Sequence, residues 1–122
     1  MSKILVVDDE PDLRFILRRI FEQAGHEVTD ASHGAEAMEC VRGSLPELVV
    51  TDMMMPVMDG YELIRLLRAD PATAQIPILA VTGYGDRADG TDVADALLAK
   101  PYDPDQILAA ANTLLASLGD GT

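Results

Sequence analysis

The chain has 122 residues, a net charge of −12, 48% hydrophobic residues and no tryptophan. One domain of that length buries roughly two-thirds of the surface its unfolded chain exposes, and so strong an acidic balance argues against nucleic acid as a partner, because phosphate contacts need Lys and Arg. The single cysteine, Cys40, excludes an internal disulfide framework, and no apolar stretch approaches the roughly 20 residues of a membrane helix.

The first apolar run is KILVV (3–7), followed by Asp8 and Asp9. Its apolar residues are consecutive, as in strands buried on both faces of a parallel sheet. Pro11 to Ala24 then places Leu13, Ile16, Leu17, Ile20 and Phe21 at helical spacings, and Gly25 ends that helix. EVTDA (27–31) reads as a weaker strand. Glu36 to Val41 makes a short helix after Gly34. ELVV (47–50) is the third strand, and TDMMMPVMDG follows it. An apolar strand that delivers a lone carboxylate, Asp52, to its end needs a reason, because buried charge is costly. Tyr61 to Arg68 puts Leu63, Ile64 and Leu67 on one helical face. IPILAV (76–81) is the fourth strand and ends in Thr82; ALLA (96–99) is the fifth and ends in Lys100. Asp105 to Leu118 repeats Ile107, Leu108, Ala111, Leu114 and Leu115. The tail from Ser117 reads as frayed, which sets the domain at 1–118 and a flexible tail at 119–122.

This alternation predicts an α/β fold, a doubly wound, flavodoxin-like sheet of five parallel strands in the order 2-1-3-4-5. The fourth helix is the weak point. The stretch GDRADGTDVADA has Gly85, Gly90 and several Asp, which form helices poorly. Residues 85–95 are expected as loop or a single turn, and as the most mobile internal segment.

In a parallel sheet all C-terminal strand ends share one edge, and ligands bind there where the strand order reverses. That edge would gather Asp8, Asp9, Asp52, Thr82 and Lys100. Three carboxylates in one crevice stay ionised together only around a cation, and hard oxygen donors suit Mg²⁺. Lys100 and the Thr82 hydroxyl would complete a site for a tetrahedral anion, and a carboxylate facing such a site can attack phosphorus.

Each residue also has a plainer reading. Asp9 could cap the helix at Pro11, Asp52 could form a turn, Thr82 could be a strand residue, and Lys100 a solvated strand end. Met53, Met54, Met55 and Met58 fit core packing and loop filling better than a soft-metal site. His26 and His33 fall in loops and receive no role. Asp59 and Glu62 serve the start of the third helix. Tyr102 packs beneath the Lys-Pro turn.

Together, VVDDE, TDMMMPVMDG, VTG and KP, in this order on these strand ends, resemble the receiver domain of two-component response regulators over essentially the whole chain. The resemblance implies that Asp52 accepts a phosphoryl group from a histidine kinase. It implies direct Mg²⁺ ligation by Asp9, Asp52 and the backbone carbonyl of Met54, with Asp8 acting through water. Thr82 is then the hydroxyl that follows the phosphoryl group and Lys100 its counter-ion, with a Lys100–Pro101 bond that is usually cis in the family. Pro56 and Gly60 shape the loop around the metal.

Receivers commonly carry an aromatic residue three positions before this Lys; here it is Leu97, so Tyr84 is expected to take the switching role beside Thr82. A subset with a Thr-Gly-Tyr loop and a reduced fourth helix is the nearest resemblance. The expected function is a cytoplasmic phosphorylation-operated switch, a monomer or weak dimer without an output domain of its own. It would act by docking to an unknown downstream protein or by draining phosphoryl groups from a kinase. A phosphatase would want a further general acid near Asp52, and position 54 is Met. A purely binding, degenerate receiver would not need all five polar positions. An ATP-binding switch would need a phosphate loop that the sequence lacks.

Overall fold

A computed structural model describes residues 2–53, 60–82, 94–100 and 102–120, the last four as backbone alone. Strand β1 (Lys3–Val7) leads to helix α1 (Pro11–Gln23), β2 (Glu27–Ala31), α2 (Gly34–Gly43) and β3 (Leu48–Asp52). Then come α3 (Gly60–Ala69), β4 (Ile78–Thr82), β5 (Ala96–Ala99) and α4 (Pro104–Asp120). The strands form one sheet in the order β2-β1-β3-β4-β5, all parallel.

The consecutive apolar runs divide between the two faces of the sheet. Leu5, Val7, Val49, Ile78 and Ala80 point towards Ala37 and Val41 of α2 and Leu63, Ile64 and Leu67 of α3. Ile4, Val6, Leu48, Val50, Leu79 and Val81 point to the opposite face. There they meet Leu17 and Phe21 of α1 and Ile107 and Ala111 of α4. Each face is thus covered by a helix pair, which is why β1, β3 and β4 carry no polar alternation. Burial of a Leu, Ile or Phe side chain contributes roughly 1.5–3 kcal/mol, so these two layers dominate the stabilising side of the balance.

Strands three and four end later than the apolar runs suggest, because Asp52 and Thr82 still pair, with Val81 and Ala99 respectively. Helix α4 reaches Asp120, past the boundary expected at 118. A helix already nucleated and packed adds residues at little cost. The fifth strand is not buried on both faces as its sequence suggests: Ala96 and Leu98 pack on the α1/α4 layer, whereas Leu97 is 49% exposed. It is the sheet's edge, and among the described residues it is hydrogen-bonded only to β4. The segment expected as loop lies outside the described residues up to position 93; its last two residues, Ala94 and Asp95, are not helical.

Both histidines do have local work. His33 is the N-cap of α2, its Nδ1 accepting the Glu36 N–H at 3.2 Å, and Nδ1 of His26 accepts the Ser2 N–H at 3.1 Å. The Glu36 carboxylate accepts from the Ser32 N–H at 2.9 Å, so the acid that a capping box would aim at the N-cap reaches the residue before it. Residue type alone hid these partners, since imidazole is not among the usual caps.

Candidate functional site

Strands β1 and β3 are neighbours, and the chain leaves them in opposite directions, to β2 on one side and to β4 on the other. The crevice at their C-terminal ends is the switch point. Asp8 follows β1 directly. Its N–H donates to the Ala31 carbonyl at 3.1 Å, and its Oδ1 accepts the Glu10 N–H at 2.9 Å. Asp9 is not a helix cap: the N-cap of α1 is Glu10, which makes no side-chain cap hydrogen bond. Asp52 is the last residue of β3. Ligand oxygens of Asp8, Asp9 and Asp52 all lie within 4.8 Å of one another.

Burial sharpens the electrostatics. Asp8 is 2% exposed and Asp52 6%. Burial pushes the Asp8 carboxyl up to about 6, helped by the negative charges of Asp52 and Asp9 and opposed by the Glu10 hydrogen bond and by Lys100. Lys100 follows β5, and its Nζ donates to Asp52 Oδ2 at 3.2 Å. Burial alone would lower the Lys100 ammonium, but the Asp52 carboxylate beside it, with Asp8 and Glu10, raises it. The Lys100 main-chain N–H donates to the Thr82 carbonyl at 2.7 Å, which places the buried Thr82 beside the lysine. Tyr102 is half-buried against the α1/α4 layer, and burial, then Asp8 and Asp52, hold its phenol up at about 12.

The structure therefore brings Asp8, Asp9, Asp52, Thr82 and Lys100 to one edge, as the sequence predicts. Met54, Pro56, Tyr84 and Pro101 lie outside the described residues. Leu97 sits on the open face of β5. Three carboxylates with hard oxygens and a nearby ammonium can hold a divalent cation and receive an anion.

One supporting residue escaped the sequence reading, and a second was given only a loop-shaping role. Arg14 donates from Nη1 to the Asp8 carbonyl at 2.8 Å and from Nε to Asp30 Oδ2 at 3.2 Å. It bridges β2 to the turn that carries the acidic pair. Its position one helical turn after Glu10 was the available clue. Gly60 is the other. Its N–H donates to the Met53 carbonyl at 3.1 Å. A Cβ there would lie 2.5 Å from the Asp52 carbonyl oxygen and 2.7 Å from the Met53 Cα. Only glycine lets α3 start this close to the end of β3.

The sequence matches the response regulator receiver domain family over residues 4–112. The chain belongs to that family. It is 38% identical over 118 residues to response regulator Rre1 of Synechocystis sp., covering 93% of this chain and 51% of the relative. The chain thus spans about half the length of that relative. Among solved structures, a response regulator receiver domain protein from Clostridium thermocellum superposes with a TM-score of 0.91 at 26% identity, covering 100% of both chains. The receiver domain of a signal transduction histidine kinase from Syntrophus aciditrophicus gives a TM-score of 0.88 at 29% identity, covering 96% of this chain and 92% of that one. Receiver domains of response regulators are signalling switches rather than metabolic enzymes.

Proposed function

We propose that this receiver domain is switched by phosphorylation of Asp52, with a histidine kinase as phosphodonor and Mg²⁺ as cofactor. The observation that carries the reading is the pairing of a buried strand-end carboxylate with Lys100 at 3.2 Å, inside a cluster of three acidic side chains within 4.8 Å. An Asp52 carboxylate oxygen attacks phosphorus, the P–N bond to the donor imidazole breaks, and the imidazole leaves with its electron pair. Lys100 moves its charge from the free carboxylate to the incoming phosphoryl oxygens. The Thr82 hydroxyl donates to the same group. Asp8 and Asp9, with Asp52 and the Met54 carbonyl, are the oxygens that would hold Mg²⁺, which supplies the neutralising charge for in-line transfer. The donor set fits: oxygen only, with more than one carboxylate.

Thr82 and Tyr84 then carry the change to the surface, where a partner protein docks; draining phosphoryl groups from the kinase is the other use of the same chemistry. The cytoplasm is where such a donor is met, and among the described residues no helix is long and apolar enough to cross a membrane. Incubation with acetyl phosphate and Mg²⁺, read by intact mass, tests the assignment. One phosphoryl adduct is expected, absent in Asp52→Asn; an adduct of equal yield in that variant overturns it. NMR of the Tyr84 ring with and without beryllium fluoride tests the relay, which an unshifted ring would refute.

A further inference from the structure

The strand that delivers Lys100 has almost no register information of its own. Because side chains alternate with a period of two, a one-residue slip turns each of them to the opposite face, and a buried face normally forbids that. ALLA is a palindrome with apolar residues in every position. Ala96 and Leu98 face the α1/α4 layer; after a slip that brings Leu97 and Ala99 into their places, a Leu and an Ala would face it again. The strand has four residues and one neighbour. A slip would nevertheless move Lys100 by about 3.3 Å along the strand and turn it over, which is enough to break a 3.2 Å ion pair with Asp52.

A second polar cluster grips the other end of this strand. Asp95 precedes β5 at the sheet edge opposite the phosphorylation site. Its N–H donates to the Ile78 carbonyl at 2.9 Å, and its Oδ2 accepts the Ile78 N–H at 2.7 Å. The same oxygen accepts from Arg68 Nη2 at 2.6 Å. Arg68 Nη1 in turn donates to the carbonyls of Ala74 and Ile76, at 2.8 and 2.9 Å. The guanidinium thereby joins the end of α3, the loop into β4 and the start of β5. Asp95 can bind Ile78 by both its main chain and its carboxylate in one register only. Neighbouring residues could not replace it: Ala94 and Ala96 have no side-chain acceptor.

We propose that Asp95 and Arg68 are positioning residues that set the register of β5 and so aim Lys100 at Asp52. The lock lies at the far end of the strand from the group it serves. The claim rests on the reading of Lys100 given above for its consequence, though not for the register itself.

Cross-strand nuclear Overhauser contacts between Val81 and Leu98, together with the Lys100 Nζ and Cε resonances, report register and ion pair without phosphorylation. Initial rates with acetyl phosphate and Mg²⁺ report the consequence. Asp95→Ala is expected to lose or double the cross-strand contacts, to shift the Lys100 resonances away from those of the paired form, and to slow phosphorylation. Arg68→Met should do the same more weakly, since the Ile78 contacts survive, and Arg68→Lys should restore most of the signal; this pair carries the test if Asp95→Ala does not fold. Adding Leu97→Thr to Asp95→Ala gives the strand an alternating pattern of its own and should recover the contacts and the Lys100 resonances. A device that only added stability would not be rescued that way. Unchanged contacts and Lys100 resonances in both Asp95→Ala and Arg68→Met would overturn the proposal. Altered register with an unchanged phosphorylation rate would uphold the lock and overturn the role of Lys100 instead.

Discussion

Asp8→Asn should stabilise this protein at neutral pH, because the site holds a carboxylate where the fold would prefer a neutral group. Asp8 is 2% exposed and its carboxyl is raised from 3.8 to about 6. The folded state binds this proton more tightly than the unfolded state. The ionisation cost is therefore absent well below pH 4, grows as pH rises from about 4 to 6, and is fully present above. Roughly two pKa units at 1.36 kcal/mol each make it about 3 kcal/mol as an upper bound. Asn keeps the shape, and its Oδ1 can still accept the Glu10 N–H. In metal-free buffer at pH 7 the variant should gain up to that amount, or on the order of 10 °C in Tm for a domain of this size. At pH 4 the gain should shrink below about 1 kcal/mol. Urea unfolding with EDTA at both values measures it. Saturating Mg²⁺ should erase the difference, since a ligand at 100 times its Kd adds about 2.7 kcal/mol to the state that binds it and the variant binds it less well. An equal gain at pH 4 and pH 7, or none at pH 7, would refute the electrostatic account.

Other perturbations have distinct signatures. Asp9→Ala should weaken Mg²⁺ binding markedly by calorimetry, whereas Met54→Ala should change it little, because only a main-chain carbonyl is invoked there. Gly60→Ala should cost about 1–3 kcal/mol in urea unfolding and shift the Asp52 resonances, since the new methyl would meet the Asp52 carbonyl and Met53. Arg14→Met should leave the sheet intact but loosen the Asp8–Asp9 turn, seen as faster amide exchange at Asp8 and Glu10 and weaker Mg²⁺ binding. Lowering the pH through 6 should weaken Mg²⁺ binding to the wild-type chain, as the proton and the cation compete for Asp8.

The sheet was legible in the sequence because its central strands, β1, β3 and β4, are buried on both faces, so uninterrupted runs such as KILVV and the following helical spacings could be told apart by period alone. The acidic edge was legible for a topological reason: parallel strands put Asp8, Asp52, Thr82 and Lys100 on one side once the strand order is known. What was not legible lies in single contacts of particular side chains and of one backbone approach, even between residues close in sequence. Arg14 reaching the Asp8 carbonyl, His33 capping α2 and the Gly60 approach to Asp52 have no periodic signature. The order 2-1-3-4-5 already put ALLA at an edge, but the exposure of Leu97 was missed because an apolar tetrapeptide does not show that one face of the edge strand stays uncovered.

The site joins two costs that each look like a defect. A buried carboxylate cluster strains the folded state, and an ion pair with Lys100 occupies Asp52, the carboxylate proposed as the nucleophile. Neither needs to be relieved by the apo protein. Under the proposed function, a cation arriving among Asp8, Asp9 and Asp52 would remove the repulsion, and a phosphoryl group arriving at Asp52 would bring three oxygens for the ammonium that had been paired with the carboxylate. The stored unfavourable energy is thus released in proportion to occupancy, which makes the bound states differ from the free one by more than their direct contacts. A neutral, well-packed edge would be more stable and would have nothing to release, so under the proposed function the instability of the polar strand ends is part of the switch.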